Sequence, residues 1–149
     1  MSQFESDLAL GGQVEEQVLD SLRSRSPLFK YAYRTQGAVK GSDIVLNLGI
    51  EVKCDLRSGD TGNVAIETSC NGKPSGITAS TSMFWVVVIP TGQFAGSWWV
   101  PAAQLRLTVS ERKSIPAGDR KAARVVLLPV TEFVKIQGVY RLSDAPSVK

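Results

Sequence analysis

Residues 42–53 read Ser42-Asp43-Ile44-Val45-Leu46-Asn47-Leu48-Gly49-Ile50-Glu51-Val52-Lys53, and their patterning decides the fold. Two runs rich in β-branched and aliphatic residues flank Asn47-Leu48-Gly49, a composition suited to a turn, so the stretch predicts an antiparallel hairpin. Along its second strand Ile50, Val52 and Cys54 take one face while Glu51 and Lys53 take the other. Folding back across the turn brings Asp43, at the opening of the first strand, beside Glu51 or Lys53. Two carboxylates and an ammonium thus gather at one spot. Carboxylates held this close resist joint ionisation unless a cation neutralises them, and a hard ion such as Mg2+ (or Mn2+) prefers one or two carboxylates plus water and phosphate oxygens. A lysine alongside orients or polarises an attacking water and stabilises charge building on a phosphate. This is the inventory for phosphodiester hydrolysis.

Upstream, residues 4–25 predict one amphipathic helix: Leu8, Val18, Leu19 and Leu22 recur at helical spacing, with Gly11 and Gly12 as a weak point. The helix should end before Ser26-Pro27, because the residue preceding proline avoids helical geometry. Glu15 breaks the pattern by falling on the apolar stripe, three before Val18 and four before Leu19. It is either a stripe-edge glutamate that snorkels to water or a carboxylate facing inward, which requires a cationic partner. Downstream, strands are expected over 29–35, 63–68 and 84–89, the last apolar throughout and so covered on both faces. Residues 71–76 read as a loop and 77–82 as a short helix. Further elements follow at 97–100, 101–107 (a short helix), 124–128 and 134–142, with a tail over 143–149. The expected fold is a single α+β (α/β) domain, with a core over about 4–90 and a β-rich C-terminal extension over about 91–142.

Asp43, its spacing to Glu51-Val52-Lys53, and a preceding helix that carries Glu15 resemble the PD-(D/E)XK nuclease superfamily. Ser42 stands where the superfamily name has proline. The resemblance implies a restriction-endonuclease-like core: helix, three-stranded meander, short helix, further strand. It implies that Asp43 and Glu51 bind Mg2+ or Mn2+, that the Val52 carbonyl completes the shell, and that Lys53 serves the water or the scissile phosphate. Glu15 corresponds by position to the helix glutamate of the Holliday-junction resolvase-like branch, where a glycine often precedes it as Gly11 does here, and would join the catalytic and metal-binding set. The matched span runs from about residue 11 to 89. The activity implied is metal-dependent DNA endonucleolysis, either structure-selective on branched DNA or sequence-specific in the manner of restriction and homing enzymes. A non-catalytic nucleic-acid-binding module on the same scaffold is the alternative, and the acidic pair argues against it because carboxylates without metal repel phosphates.

Other residues extend this set. Glu67 shares a strand face with Asn63 and Ala65, and either hydrogen-bonds Lys53 or a metal-bound water or is a solvated edge residue. Lys73 and Ser75, in a glycine-bounded loop before the expected short helix, are candidates to contact DNA phosphates at a helix N-terminus, and Lys40 is a further candidate for DNA binding. Arg120 and Lys121 belong to a C-terminal third enriched in cations, against an acidic N-terminal helix, and are candidates for the DNA backbone. Trp98 and Trp99 fit core or dimer contacts better than a base-stacking platform.

Composition narrows the chemistry. The 149-residue chain contains no histidine, which excludes imidazole bases, His-containing nucleophile systems and His-ligated metals. The net charge of +3 is a mild bias toward polyanions. Two cysteines, Cys54 and Cys70, form no CxxC pair and suggest a reduced, cytoplasmic protein. The acidic start shows no secretory signal, and the apolar run 83–89 is too short to cross a bilayer. A chain this small leaves little room for a separate DNA-reading domain, so a homodimer on duplex or branched DNA is expected.

Overall fold

In a computed structural model the described residues are 3–25, 29, 32–35, 43–46 and 48–145. The N-terminal helix α1 covers Gln3–Arg25 and runs straight through Gly11 and Gly12. Its buried face is Val14, Val18, Leu19 and Leu22, whereas Leu8 is 68% exposed. The apolar stripe therefore starts later than the spacing from Leu8 implied, because Leu10 and Gly11 border an open cleft.

Three strands follow: β1 (Tyr33–Arg34), β2 (Ile44–Leu46) and β3 (Leu48–Cys54). They are antiparallel neighbours, and β2 pairs with β3 so that Ile44 faces Ile50 and Leu46 faces Leu48. The expected hairpin forms with a tighter connection than Asn47-Leu48-Gly49, since Leu48 and Gly49 already belong to β3. After the single turn α2 (Ser58–Thr61), β4 (Asn63–Cys70) and β5 (Lys73–Pro74) leave for a second sheet, and the chain returns as β6 (Phe84–Ile89), parallel to β3. Then come β7 (Gly96–Pro101), α3 (Ala102–Ser110), β8 (Ile115–Ala117), β9 (Ala123–Pro129), α4 (Val130–Phe133) and β10 (Tyr140–Ser143).

The first sheet has the order β1-β2-β3-β6-β7-β10 and the second β5-β4-β9-β8. Alternation along the strands of the first sheet supplies two cores. One face carries Ile44, Ile50, Val86, Val88, Trp99 and Leu142 against the apolar face of α1. The other carries Trp85, Val87, Ile89 and Val100 against Val64, Ile66, Val126 and Leu128 of the second sheet, with Leu105 of α3 and Phe133 of α4. β6 feeds both cores, as its unbroken apolar run foretold.

The helix expected over 77–82 is absent. Gly76–Thr78 form one 3-10 turn instead, so strands β4 and β5, not a helix, make the crossover from β3 to β6. Two causes are visible. Gly76 has φ +54 and is pressed so closely on β4 that a Cβ would lie 2.3 Å from the Glu67 carbonyl oxygen. The Ser/Thr-rich stretch after it spends its polar groups outside helical bonding: Ser80 Oγ accepts from the Ser82 N–H and the Trp85 Nε1–H, while Arg106 of α3 donates to the carbonyls of Ile77 and Ser80.

The C-terminal third is woven into both sheets. β7 and β10 extend the first and β8 and β9 build the second. Of residues 134–142 only the segment from Tyr140 is extended, and Ser143, assigned to the tail from sequence, belongs to β10. Trp99 is buried with its ring 4.5 Å from that of Phe84, and Trp98 Nε1–H donates to the Phe94 carbonyl at 2.8 Å. Trp99 belongs to the core under α1, and Trp98, half-buried, packs against the other core. Among the described residues no helix is long and apolar enough to cross a membrane.

Candidate functional site

The β2–β3 register places Asp43 one step beyond the Ile44–Ile50 pair, opposite Glu51. Its carboxylate turns onto β3, where Oδ2 accepts the Val52 N–H at 2.7 Å, and its carbonyl accepts the Thr35 N–H at 2.7 Å. Asp43 is thereby clamped between the strands on either side of it. Val52 enters the site through its amide. From the other layer α1 brings Glu15, which follows the buried Val14 and has a side chain only 22% exposed. Arg34 of β1 meets it, with Nη1–H donating to Glu15 Oε2 at 3.1 Å and Nε lying 3.3 Å from Glu16 Oε2. The inward carboxylate thus has the cation it requires.

The three carboxylates feel one another. Glu51 is pushed from an ordinary 4.5 up to about 7, first by burial, then by the charge of Asp43, with Glu15 adding to the rise and Lys53 opposing it. Burial likewise raises Glu15, with the Arg34 hydrogen bond opposing and the charge of Asp43 adding to it. Asp43 is raised by burial against the stabilising Val52 N–H and the charge of Arg34. Burial is thus the main reason that all three carboxyls hold their protons more tightly than free ones, with mutual repulsion adding to it for Glu51 and Glu15.

Lys53 projects into an open cleft of about 450 Å3 bounded by Leu10 and Gly11 of α1, Asp55 and Leu56 after β3, Glu67 of β4 and Val125 of β9. Glu67 is fixed there from outside: Ser75 Oγ–H donates to its Oε1 at 2.5 Å. The structure thus brings Lys53 and Glu67 to one cleft and gives Ser75 a carboxylate to hold. With only a 3-10 turn after Ser75, no helix N-terminus is available for a phosphate. Lys73 is exposed on the edge strand β5. Arg120 and Lys121 are exposed at the β8–β9 turn, both at positive φ (53° and 58°). The two hairpin tips are neighbours, since the Asn71 N–H donates to the Ala122 carbonyl at 2.8 Å. These cations share one end of the second sheet. Lys40 lies outside the described residues, as does Ser42.

Two site residues escaped the sequence reading. Arg34 is the cation that Glu15 demanded; the only signal was that demand itself, together with an arginine on the next expected strand. Asp55 sits at the cleft, where its Oδ2 accepts the Ala65 N–H at 2.8 Å and its Oδ1 the Arg57 N–H at 3.1 Å, tying the end of β3 to β4. An acidic residue directly after a strand is a common turn former, which hides such a role in sequence.

Among the described residues no group of three or more His, Cys, Asp or Glu side chains is arranged to hold a metal ion. The donors present fit a hard divalent ion in another way. Asp43 and Glu51 are near enough for the charge of Asp43 to raise Glu51, and Mg2+ is commonly held by one or two carboxylates with water filling its shell. Glu15 is paired with Arg34. No family model, curated protein or solved structure matches the chain.

Proposed function

We propose that the chain is a metal-dependent DNA endonuclease, with Asp43 and Glu51 as the metal-holding carboxylates and Lys53 as the cation that serves the attacking water and the scissile phosphate. The observation that carries the reading is the state of Glu51: a half-buried strand glutamate, opposed by Asp43 and within reach of the charge of Glu15, held up to about 7 beside a lysine. A purely structural strand face does not collect carboxylates in this way, because each additional one destabilises the others. The order of elements adds support: α1, the antiparallel β1-β2-β3 and then β6 parallel to β3 is compatible with a restriction-endonuclease-like core whose usual crossover helix is replaced by the arm of β4 and β5.

A divalent ion bound there would supply Lewis acidity and a more acidic water. The chain's own residues do the rest. Asp43 is oriented by the Val52 N–H, and the strand register puts Glu51 on the same face as Lys53. Lys53, at the cleft mouth, neutralises charge that builds on the phosphate. Glu67 borders the same cleft, held by Ser75. Lys73, Arg120 and Lys121 provide a basic end to the second sheet for the DNA backbone.

The test is cleavage of supercoiled, linear, single-stranded, four-way-junction and pooled genomic DNA with Mg2+ or Mn2+. Cleavage is expected, with Glu51→Ala and Lys53→Ala each lowering the rate by about 100-fold or more. Preference for the junction would mark a structure-selective enzyme, and discrete fragments from genomic DNA a sequence-specific one. Intact DNA throughout the panel would overturn the proposal, as would equal cleavage by Glu51→Ala.

A further inference from the structure

Arg34 sits where the carboxylate cluster meets α1, and its bonds are of a kind that a divalent cation disturbs. The guanidinium is shared between two consecutive helix residues, Glu15 at 3.1 Å and Glu16 at 3.3 Å. The second contact is out of line: Arg34 Nε is buried and has no hydrogen-bond partner among the described residues. An unsatisfied buried donor marks an interaction that is not optimised as a permanent bridge. The space for the guanidinium comes from Gly12, where a Cβ would lie 3.2 Å from Nη1. Glu15 therefore belongs to two sets, an ion pair with Arg34 and an acidic cluster with Asp43 and Glu51.

A cation entering between Asp43 and Glu51 repels the guanidinium and attracts the same glutamate. We propose that Arg34 is the resident counter-ion of this cluster and competes with the divalent cation for Glu15, so that filling the metal site and keeping the Arg34–Glu15 ion pair oppose each other. The inference rests on the metal-dependent reading above. Arg34 is a positioning residue in this scheme: it acts on the metal through Glu15.

Mn2+ binding to the full, metal-free chain tests it, followed by loss of the free-ion electron paramagnetic resonance signal, with folding checked by circular dichroism. Arg34→Gln is expected to tighten Mn2+ binding about two- to fivefold, the range open to a partly exposed ion pair. In a Glu15→Gln background the same substitution should bring little gain. Gly12→Ala gives a second handle, since its Cβ crowds Nη1 without removing the charge, and should also tighten binding while the fold is kept. Equal gains with and without Glu15 would reduce Arg34 to a distant charge and overturn the competition, as would no gain or weaker binding in both Arg34→Gln and Gly12→Ala. Absence of Mn2+ binding in every chain would overturn the metal-dependent reading along with it, whereas binding without coupling overturns only the competition.

Discussion

Glu51 carries the most testable chemistry in the molecule. Its carboxyl is raised from 4.5 to about 7 by burial and by Asp43 and Glu15, so between those values the folded chain holds a proton that the unfolded chain has released. Stability of the metal-free protein is therefore expected to fall as pH rises through that window and to level off above it. Urea unfolding at pH 5, 6, 7 and 8 in a chelator checks the sign. Glu51→Gln should flatten most of the slope, leaving a remainder from Glu15 and Asp43, which are raised in the same direction. Added Mg2+ should recover stability at pH 8 in the native chain and not in Glu51→Gln, because a cation rewards only the ionised carboxylate. Much of this was legible in sequence: a period of two puts Glu51 and Lys53 on one face, and a stripe glutamate demands a cation. Arg34 was not, because nineteen residues separate it from Glu15 and the contact exists only once α1 packs over β1.

At the level of elements, glycines decide how α1 and β4 frame the cleft. The helix tolerates Gly11 and Gly12 at a cost in backbone entropy, and the two differ in surroundings. A Cβ at Gly11 meets nothing within 4 Å, whereas one at Gly12 presses on Arg34. Gly11→Ala is expected to stabilise the protein by about 0.5–1 kcal/mol, and Gly12→Ala to gain less, as read from urea midpoints. Gly76 is the opposite case. Its φ of +54 and the Glu67 carbonyl 2.3 Å from its Cβ position leave no room for a side chain. Gly76→Ala should destabilise by about 1–3 kcal/mol and loosen Ser75 from Glu67, a change that unfolding curves and cleavage rates would register together. This is also why the helix expected over 77–82 failed to form. Hydrophobic spacing reports amphipathic faces, and it is silent about a glycine pinned against a neighbouring strand or an arginine, Arg106, that captures the turn's carbonyls.

The whole molecule is a three-layer unit whose middle sheet is completed from both ends of the chain. Sequence motifs concentrate before residue 90, which suggested a core over 4–90 followed by an extension, yet β6 has β7 as its other neighbour and the second core consists largely of residues from 98 to 139. Motifs mark chemistry, and the burial that supports it is set by alternation in strands that carry no motif, such as β9. A chain ending at residue 90 would leave one edge of β6 unpaired and expose Trp85, Val87 and Ile89 together with Val64 and Ile66, so it is expected to remain unfolded by circular dichroism and by near-ultraviolet signal. In the full chain the two cores share β6, which couples them. Leu19→Ala on α1 and Leu128→Ala in the second sheet, whose side chains are 2% and 0% exposed, should each cost about 2–5 kcal/mol and should each move one common unfolding transition. Separate transitions, with Leu19→Ala shifting one and Leu128→Ala the other, would mean that the cores fold apart; a single shifted transition means that the acidic site at β2 and β3 is held in place by strands more than forty residues beyond it.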